Sequence, residues 1–235
     1  MPDVKYSRQY QYWLAIASLP FMKKLLKLLF GPRKPLPLPD HLLPVHNAPL
    51  PSGPYAVNYD RLQQNFQTQM YENYCAVAAG TIVLNALDQK LTQKSFFNKR
   101  TRRVRGPFLS FFEGISLGDF TRMIEEHGFS AKAYHASDIT PDEFRELIKS
   151  HTSNPDRYLV ANYARRVLGQ KPTAHFSPLA AYDDITDRVL ILDVATYKYP
   201  SVWVSVELLY KATLEMDSGG KFTRGIVTIE NSEKA

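Results

Sequence analysis

The sequence predicts an α+β domain, and three observations carry that expectation. Apolar residues recur at helical spacing through the first half of the chain, short β-rich runs crowd the second half, and a polar turn joins two of those runs as a hairpin. With 235 residues, 44% hydrophobic and 22% charged, the chain is long enough for one well-buried core plus an appendage.

The appendage comes first. Residues 1–54 hold ten of the sixteen prolines, and 31–54 reads as an extended Pro-rich linker, because proline continues neither a helix nor a central strand. Ahead of it, residues 1–30 form an apolar and basic segment. Its longest apolar run, Tyr12 to Met22, is eleven residues, short of the roughly 20 that span a bilayer. Lysines interleaved with leucines over 23–30 fit a helix lying in an anionic membrane interface, so residues 9–30 are expected to touch such a surface. Two rival readings stay open: a signal peptide without an evident cleavage site, and a helix packed on the protein. Localisation follows the choice: membrane-associated, exported, or otherwise cytoplasmic.

The catalytic domain is expected over residues 55–235. Cys75 to Gln89 has helical spacing at Val77, Ala78, Val83, Leu84 and Leu87, which puts Cys75 near a helix N-terminus. Ser116 to Asp119 opens a second helix with a capping pattern, ending at His127-Gly128. Thr140-Pro141-Asp142-Glu143 starts a third, running to about Ser150. Tyr158–Tyr163, His175–Tyr182 and Arg188–Val194 then read as strands, the last two joined by the turn Asp183–Asp187. Val206 to Met216 is helical again, and Gly225 to Glu230 closes the domain as a strand. Lys99 to Arg105, a dense basic run after Phe96-Phe97, reads as a solvated loop, with attraction for small carboxylates or for an anionic membrane surface as the alternative.

Charge and cysteine usage exclude several classes. The net charge of +6 belongs mostly to residues 1–40, where seven cations face two acids, so a nucleic-acid-binding domain is not indicated. A single cysteine permits no internal disulfide and no thiolate cluster for a metal. A lone cysteine is ordinarily a small buried hydrophobe, and its neighbours decide whether it is more.

A catalytic cysteine acts as a thiolate, favoured by a helix N-terminus and by a histidine that a third polar group orients. His41 and His46 lie in the Pro-rich segment, His127 and His151 at helix ends, and His135 in a polar turn before Asp138. His175 remains, at the start of an apolar strand. Asp193 sits in the partner strand, in Leu190-Ile191-Leu192-Asp193-Val194, where a buried carboxylate needs a compensating partner. The hairpin can place Asp193 across from His175. Cys, His and Asp in that order, helix before hairpin, is the layout of papain-like cysteine protease folds, and Gln69 stands where such enzymes keep the side-chain donor of the oxyanion hole.

Further pieces carry a more specific resemblance: Gln69-Met70…Tyr74-Cys75 with Val83–Leu87, and His175-Phe176-Ser177-Pro178. So do Leu190–Ala195 with Lys198-Tyr199-Pro200 and Trp203-Val204, and finally Asp217…Thr223-Arg224-Gly225. Together, over roughly residues 60–230, the chain resembles the phytochelatin synthases, the glutathione γ-glutamylcysteinyltransferases. The resemblance implies a papain-like fold, a Cys75–His175–Asp193 triad and glutathione as substrate. The Cys–Gly bond would open through a Cys75 thioester, and the acyl group would pass to water or to a second glutathione. It also implies substrate contacts at Asp217, Arg224, Lys198 and Tyr199. No cofactor is implied in the protein itself; cadmium or zinc would enter only as the metal–glutathione thiolate substrate, in a setting of metal detoxification.

Three positions depart from the family pattern: Ala76 and Ala174 replace glycines, and Thr196 replaces an arginine. The sequence also lacks the Cys-rich C-terminal domain of eukaryotic members, as do the short bacterial forms. These features tilt the expectation toward glutathione hydrolysis over peptide synthesis. A papain-like peptidase of other specificity and a non-catalytic, membrane-attached binding protein remain as alternatives, and a homodimer is left open.

Overall fold

The computed structural model describes residues 35–48, 50–171, 174–217 and 221–232, which belong to one compact unit beginning at Pro35. The expected interface segment 1–30 lies outside the described residues. Among the described residues no helix is long and apolar enough to cross a membrane.

A seven-stranded antiparallel sheet organises the unit. Its strands are β1 (Leu43–Pro44), β2 (Phe129–His135), β3 (Arg157–Ala164), β4 (Ala174–Asp183), β5 (Arg188–Ile191), β6 (Val202–Ser205) and β7 (Gly225–Asn231). Their order across the sheet is β1-β6-β5-β4-β3-β7-β2. Among the described residues seven α-helices accompany the sheet: α1 (Tyr59–Gln64), α2 (Cys75–Ala86), α3 (Thr101–Val104), α4 (Pro107–Glu113), α5 (Leu117–Glu125), α6 (Pro141–Thr152) and α7 (Val206–Thr213).

Both faces of the sheet are covered. Residues of one parity, such as Val160, Phe176 and Leu190, pack with Val77, Leu84 and Phe120 of α2 and α5. Those of the other parity, such as Leu159, Ala161 and Ile191, pack with Phe144, Ile148 and Leu209 of α6 and α7. This is why the central strands read as nearly continuous apolar runs, although antiparallel strands more often alternate. Each fully buried Leu, Ile or Phe here contributes about 1.5–3 kcal/mol.

The helix starts follow their caps. Ser116 accepts from the Asp119 N–H, and Thr140 and Glu143 form a reciprocal capping box at α6. Helix α2 has no side-chain cap, and all of its residues except Asn85 are buried. It is the central helix of the fold, apolar around its whole circumference. Gly80 lets it approach its neighbours closely: a Cβ there would stand 2.7 Å from Phe96 Cε2 and 3.0 Å from Phe120 Cε2.

Four expectations are corrected. The Pro-rich segment is no free linker from Pro35 onward. Leu36 donates to the Lys198 carbonyl, Leu42 is buried, and β1 pairs with β6, so this stretch is strapped along the sheet edge. The basic run is partly helical, with α3 anchored by the buried Thr101. His135 ends strand β2, where its Nδ1 lies 2.6 Å from the Thr223 carbonyl. Finally, β5 stops at Ile191, so Asp193 lies beyond the ladder and not within a strand.

Candidate active site

Cys75 is the first residue of α2, 8% exposed. The first N–H groups of a helix have no intrahelical acceptor and present partial positive charge. The thiol lies against the backbone N–H groups of Phe176 and Ala76, so the cysteine faces the start of β4, next to His175. Burial nevertheless pushes the thiol up from its ordinary value, and those N–H groups and the Arg165 charge only partly offset it. The neutral thiol is the favoured resting form, where a thiolate was expected.

His175 pairs with Tyr163 across β3–β4, and the two rings meet edge-on with centroids 5.8 Å apart. Its Nε2 donates to Asp193 Oδ1 at 3.0 Å, which places the ring proton on Nε2 and leaves Nδ1 as the basic nitrogen. Burial, reinforced by the Arg165 charge and opposed by Asp193, lowers the imidazole to about 4.

The short hairpin between β4 and β5 explains how histidine and acid meet. Leu192 N–H donates to the Pro178 carbonyl after β5 has ended, and the chain then turns inward at Asp193. Gln69 N–H donates to the Val194 carbonyl, tying the loop that precedes Cys75 to the loop that carries the acid.

Asp193 has a second partner that sequence reasoning missed. Arg165, 1% exposed, donates from Nη2 to Asp193 Oδ1 at 2.7 Å and from Nη1 to Gln170 Oε1 at 2.6 Å. The Ala195 N–H donates to the same Oδ1 at 2.8 Å. Burial alone would raise this carboxyl. The charges and hydrogen bonds of His175 and Arg165 outweigh burial and hold it well below the ordinary carboxylate range. The available signal was a basic pair, Arg165-Arg166, directly after an apolar strand, together with the need of a buried acid for a cation.

The other expected residues fall in two groups. Arg224 and Asp217 meet: Arg224 Nη1 donates to Asp217 Oδ1 at 3.2 Å and to Asn162 Oδ1 at 2.9 Å. Arg224 Nε is buried with no partner among the described residues. Its guanidinium is lowered chiefly by burial, and the fields of Asp217 and Cys75 oppose that, which places it within electrostatic reach of the thiol. Arg224, Arg165, Ala174 and Met216 line a cavity of about 200 Å3. A larger hollow of about 560 Å3, between residues 50–55 and the 182–186 turn, contains none of Cys75, His175 and Asp193.

Gln69, Lys198 and Tyr199 are engaged within the protein. Gln69 Nε2 faces the Tyr71 carbonyl at 2.9 Å, the Glu72 carbonyl at 2.7 Å and Tyr197 Oη at 2.9 Å, three acceptors for two protons. Its Oε1 is buried without a partner among the described residues. Lys198 pairs with Glu72, three residues before Cys75. Tyr199 is buried, accepts from the Lys171 N–H at 2.8 Å, and lies 5.1 Å from the Arg165 guanidinium, so it braces that cation. Thr196 bonds Thr68 side chain to side chain at 2.7 Å. Among the described residues no group of three or more His, Cys, Asp or Glu converges as a metal site.

Fold and site together define an α+β protein with its lone cysteine at the head of a buried helix, beside a strand whose histidine is held by a buried acid. The sequence model of phytochelatin synthase matches residues 52–226, and the chain belongs to that family. It is 32% identical over 189 residues to glutathione gamma-glutamylcysteinyltransferase 1 of Arabidopsis thaliana, across 74% of this chain and 37% of that protein. Glutathione gamma-glutamylcysteinyltransferase 3 of Lotus japonicus is 33% identical over 181 residues, covering 74% and 38%. The Schizosaccharomyces pombe transferase is 28% identical over 179 residues, covering 74% and 43%. The chain thus spans well under half the length of the curated relatives it matches. Among solved structures, the peptidase domain of Streptococcus ComA aligns with a TM-score of 0.47 at 10% identity, over 71% of this chain and 97% of that one.

Proposed function

We propose that this chain is a cysteine acyltransferase of papain-like type that opens the Cys–Gly bond of glutathione through a thioester on Cys75. The observation that carries the reading is the buried Asp193–His175 pair beside Cys75 at the head of α2, in a member of the phytochelatin synthase family. Its relatives' names supply the substrate class.

His175 Nδ1 takes the thiol proton as the sulfur attacks the cysteinyl carbonyl of glutathione. This general-base step suits a pair whose resting form is neutral. The oxyanion that develops meets the backbone N–H of Cys75 at the helix N-terminus. For Gln69 to add a second donor, its amide must leave the Tyr71 and Glu72 carbonyls when substrate enters. His175 then returns the proton to the glycine nitrogen, the C–N bond breaks, and γ-glutamylcysteine remains on Cys75. Water activated by His175 gives free γ-glutamylcysteine, and the amino group of a second glutathione gives the phytochelatin dimer. Metal ions act only as part of a metal–thiolate acceptor in the second route.

Arg224 is the substrate-binding cation: its unpartnered Nε, buried within electrostatic reach of Cys75, suits the γ-glutamyl carboxylate. Asp217, held against it, receives the amino group of the same unit. Lys198 and Tyr199 serve binding indirectly, Lys198 by fixing Glu72 in the loop before Cys75 and Tyr199 by bracing Arg165. Thr196, in place of the family's arginine, leaves a neutral side chain bonded to Thr68 where the family has a cation, which supports hydrolysis as the main route.

The test is product analysis of purified protein with glutathione, with and without cadmium. Glycine and γ-glutamylcysteine in equal amounts, with little dimer, are expected from the wild-type chain, and none from Cys75→Ser. Glycine release at the wild-type rate from Cys75→Ser would sink the reading. Turnover of other peptides but not of glutathione would move the assignment to a peptidase.

A further inference from the structure

Helix α4 carries an apolar face that nothing in the described structure covers. Phe108 is 72% exposed, Leu109 47% and Phe112 61%. The Phe108 and Phe112 rings, one helical turn apart, meet at a tilt of 59° with centroids 4.8 Å from each other. The opposite side of α4 is the one that packs: Ser110 is buried, and Phe111 meets Tyr71 edge-on at 5.1 Å. The outward face therefore does not serve the core.

Immediately before it comes the basic run. Lys99, Arg100, Arg102 and Arg103 are exposed at and around α3. Arg105 ties this run to the far end of α4, donating from Nε to the Gly114 carbonyl at 2.6 Å and pairing with Glu113. Among the described residues, Arg105 is the member of the run that forms ion pairs, with Glu113 and Asp119. Residues 99–113 thus present large apolar side chains next to a group of uncompensated cations.

We propose that α3 and α4 form a docking surface for an anionic lipid bilayer, with Phe108, Leu109 and Phe112 entering the interface and the cations of 99–103 resting on the headgroups. Charge decides between occupants. A second copy seated on the same patch would bring two cation clusters together. The chain's own residues 1–34 are themselves basic, with seven cations against Asp3, so covering the patch with them also sets like charges side by side. Apolar wedges beside unpaired cations fit a surface that is anionic outside and apolar beneath. The patch also sits beside the proposed chemistry: Asn73 donates to the Phe111 carbonyl at 2.9 Å, and Tyr74 Oη to the Pro107 carbonyl at 3.1 Å. Docking would hold the loop leading into Cys75 against the membrane.

The experiment is sedimentation of the full chain with vesicles of phosphatidylcholine alone and of a three-to-one mixture with phosphatidylglycerol. Two double variants, Phe108→Ser/Phe112→Ser and Arg100→Gln/Arg103→Gln, are run beside the wild type, with thermal melts as the control for folding. Binding is expected to need the anionic lipid. It should fall on the order of five-fold for each cation removed, and also fall in the serine variant. Three results would overturn the proposal: no wild-type binding to the mixed vesicles; binding by both double variants as strong as that of the wild type, which would assign attachment to residues 1–34; or a wild-type dimer that the serine variant dissociates while vesicle binding is unchanged.

Discussion

Asp193 Oδ1 accepts from three groups at once: His175, Arg165 and the Ala195 N–H. Arg165 and His175 share that oxygen, so the guanidinium sets how strongly the acid draws on the imidazole. Its positive field is also one of the causes that lower His175 to about 4. In the proposed mechanism His175 must be neutral to act as a base, so activity would be lost as pH falls through that value. The acid limb of kcat/KM is expected near 4, where an unperturbed histidine would place it near 6.5. Arg165→Lys keeps the charge and should leave the limb in place. Arg165→Met removes it, so the limb should move toward neutral pH, and breaking a buried pair should cost about 3–5 kcal/mol of stability. A purely structural role would lower stability and leave the limb unmoved; pH–rate profiles of the three proteins distinguish the two. At this scale the sequence displayed Cys75, His175 and Asp193, because their residue types and order are readable along the chain. Arg165 was hidden, because a cation after a strand looks like a surface residue until the fold buries it.

Among the elements, α2 matters most, since it delivers Cys75 to β4. Its close packing rests on Gly80, beneath the rings of Phe96 and Phe120, both fully buried. Alanine at this position would gain about 1 kcal/mol in helix propensity. Overpacking against two rings that have no free space costs about 1–3 kcal/mol. The balance predicts that Gly80→Ala lowers the melting temperature by a few degrees, at roughly 2–4 °C per kcal/mol for a chain of this size. A rise on calorimetry would show that the rings yield and that the packing around Gly80 is looser than its distances. Helices with caps, such as α5 and α6, were legible because capping is local chemistry. Strand β2 was not: Ser130-Ala131-Lys132-Ala133 has little β propensity, and the segment is extended because all seven of its residues pair with β7. The early end of β5 was hidden for the same reason, since Leu192 to Val194 look like a strand but leave the ladder to place the acid.

Across the whole molecule, one buried sheet brings together residues more than a hundred positions apart. Residues 35–48 reinforce its edge through β1, so a segment that reads as a linker from its prolines is part of the fold from Pro35. Proline content marked the absence of helix there and said nothing about docking, which depends on the neighbouring strand. The proposed function asks this domain to carry an acyl group on Cys75. It is tested most directly by intact-mass spectrometry of the protein after brief mixing with glutathione and an acid quench, with digestion to place the adduct. A γ-glutamylcysteinyl adduct on the Cys75 peptide is predicted, present in the wild type and absent from Cys75→Ser. Glycine release without any adduct, or an adduct elsewhere in the chain, would contradict it.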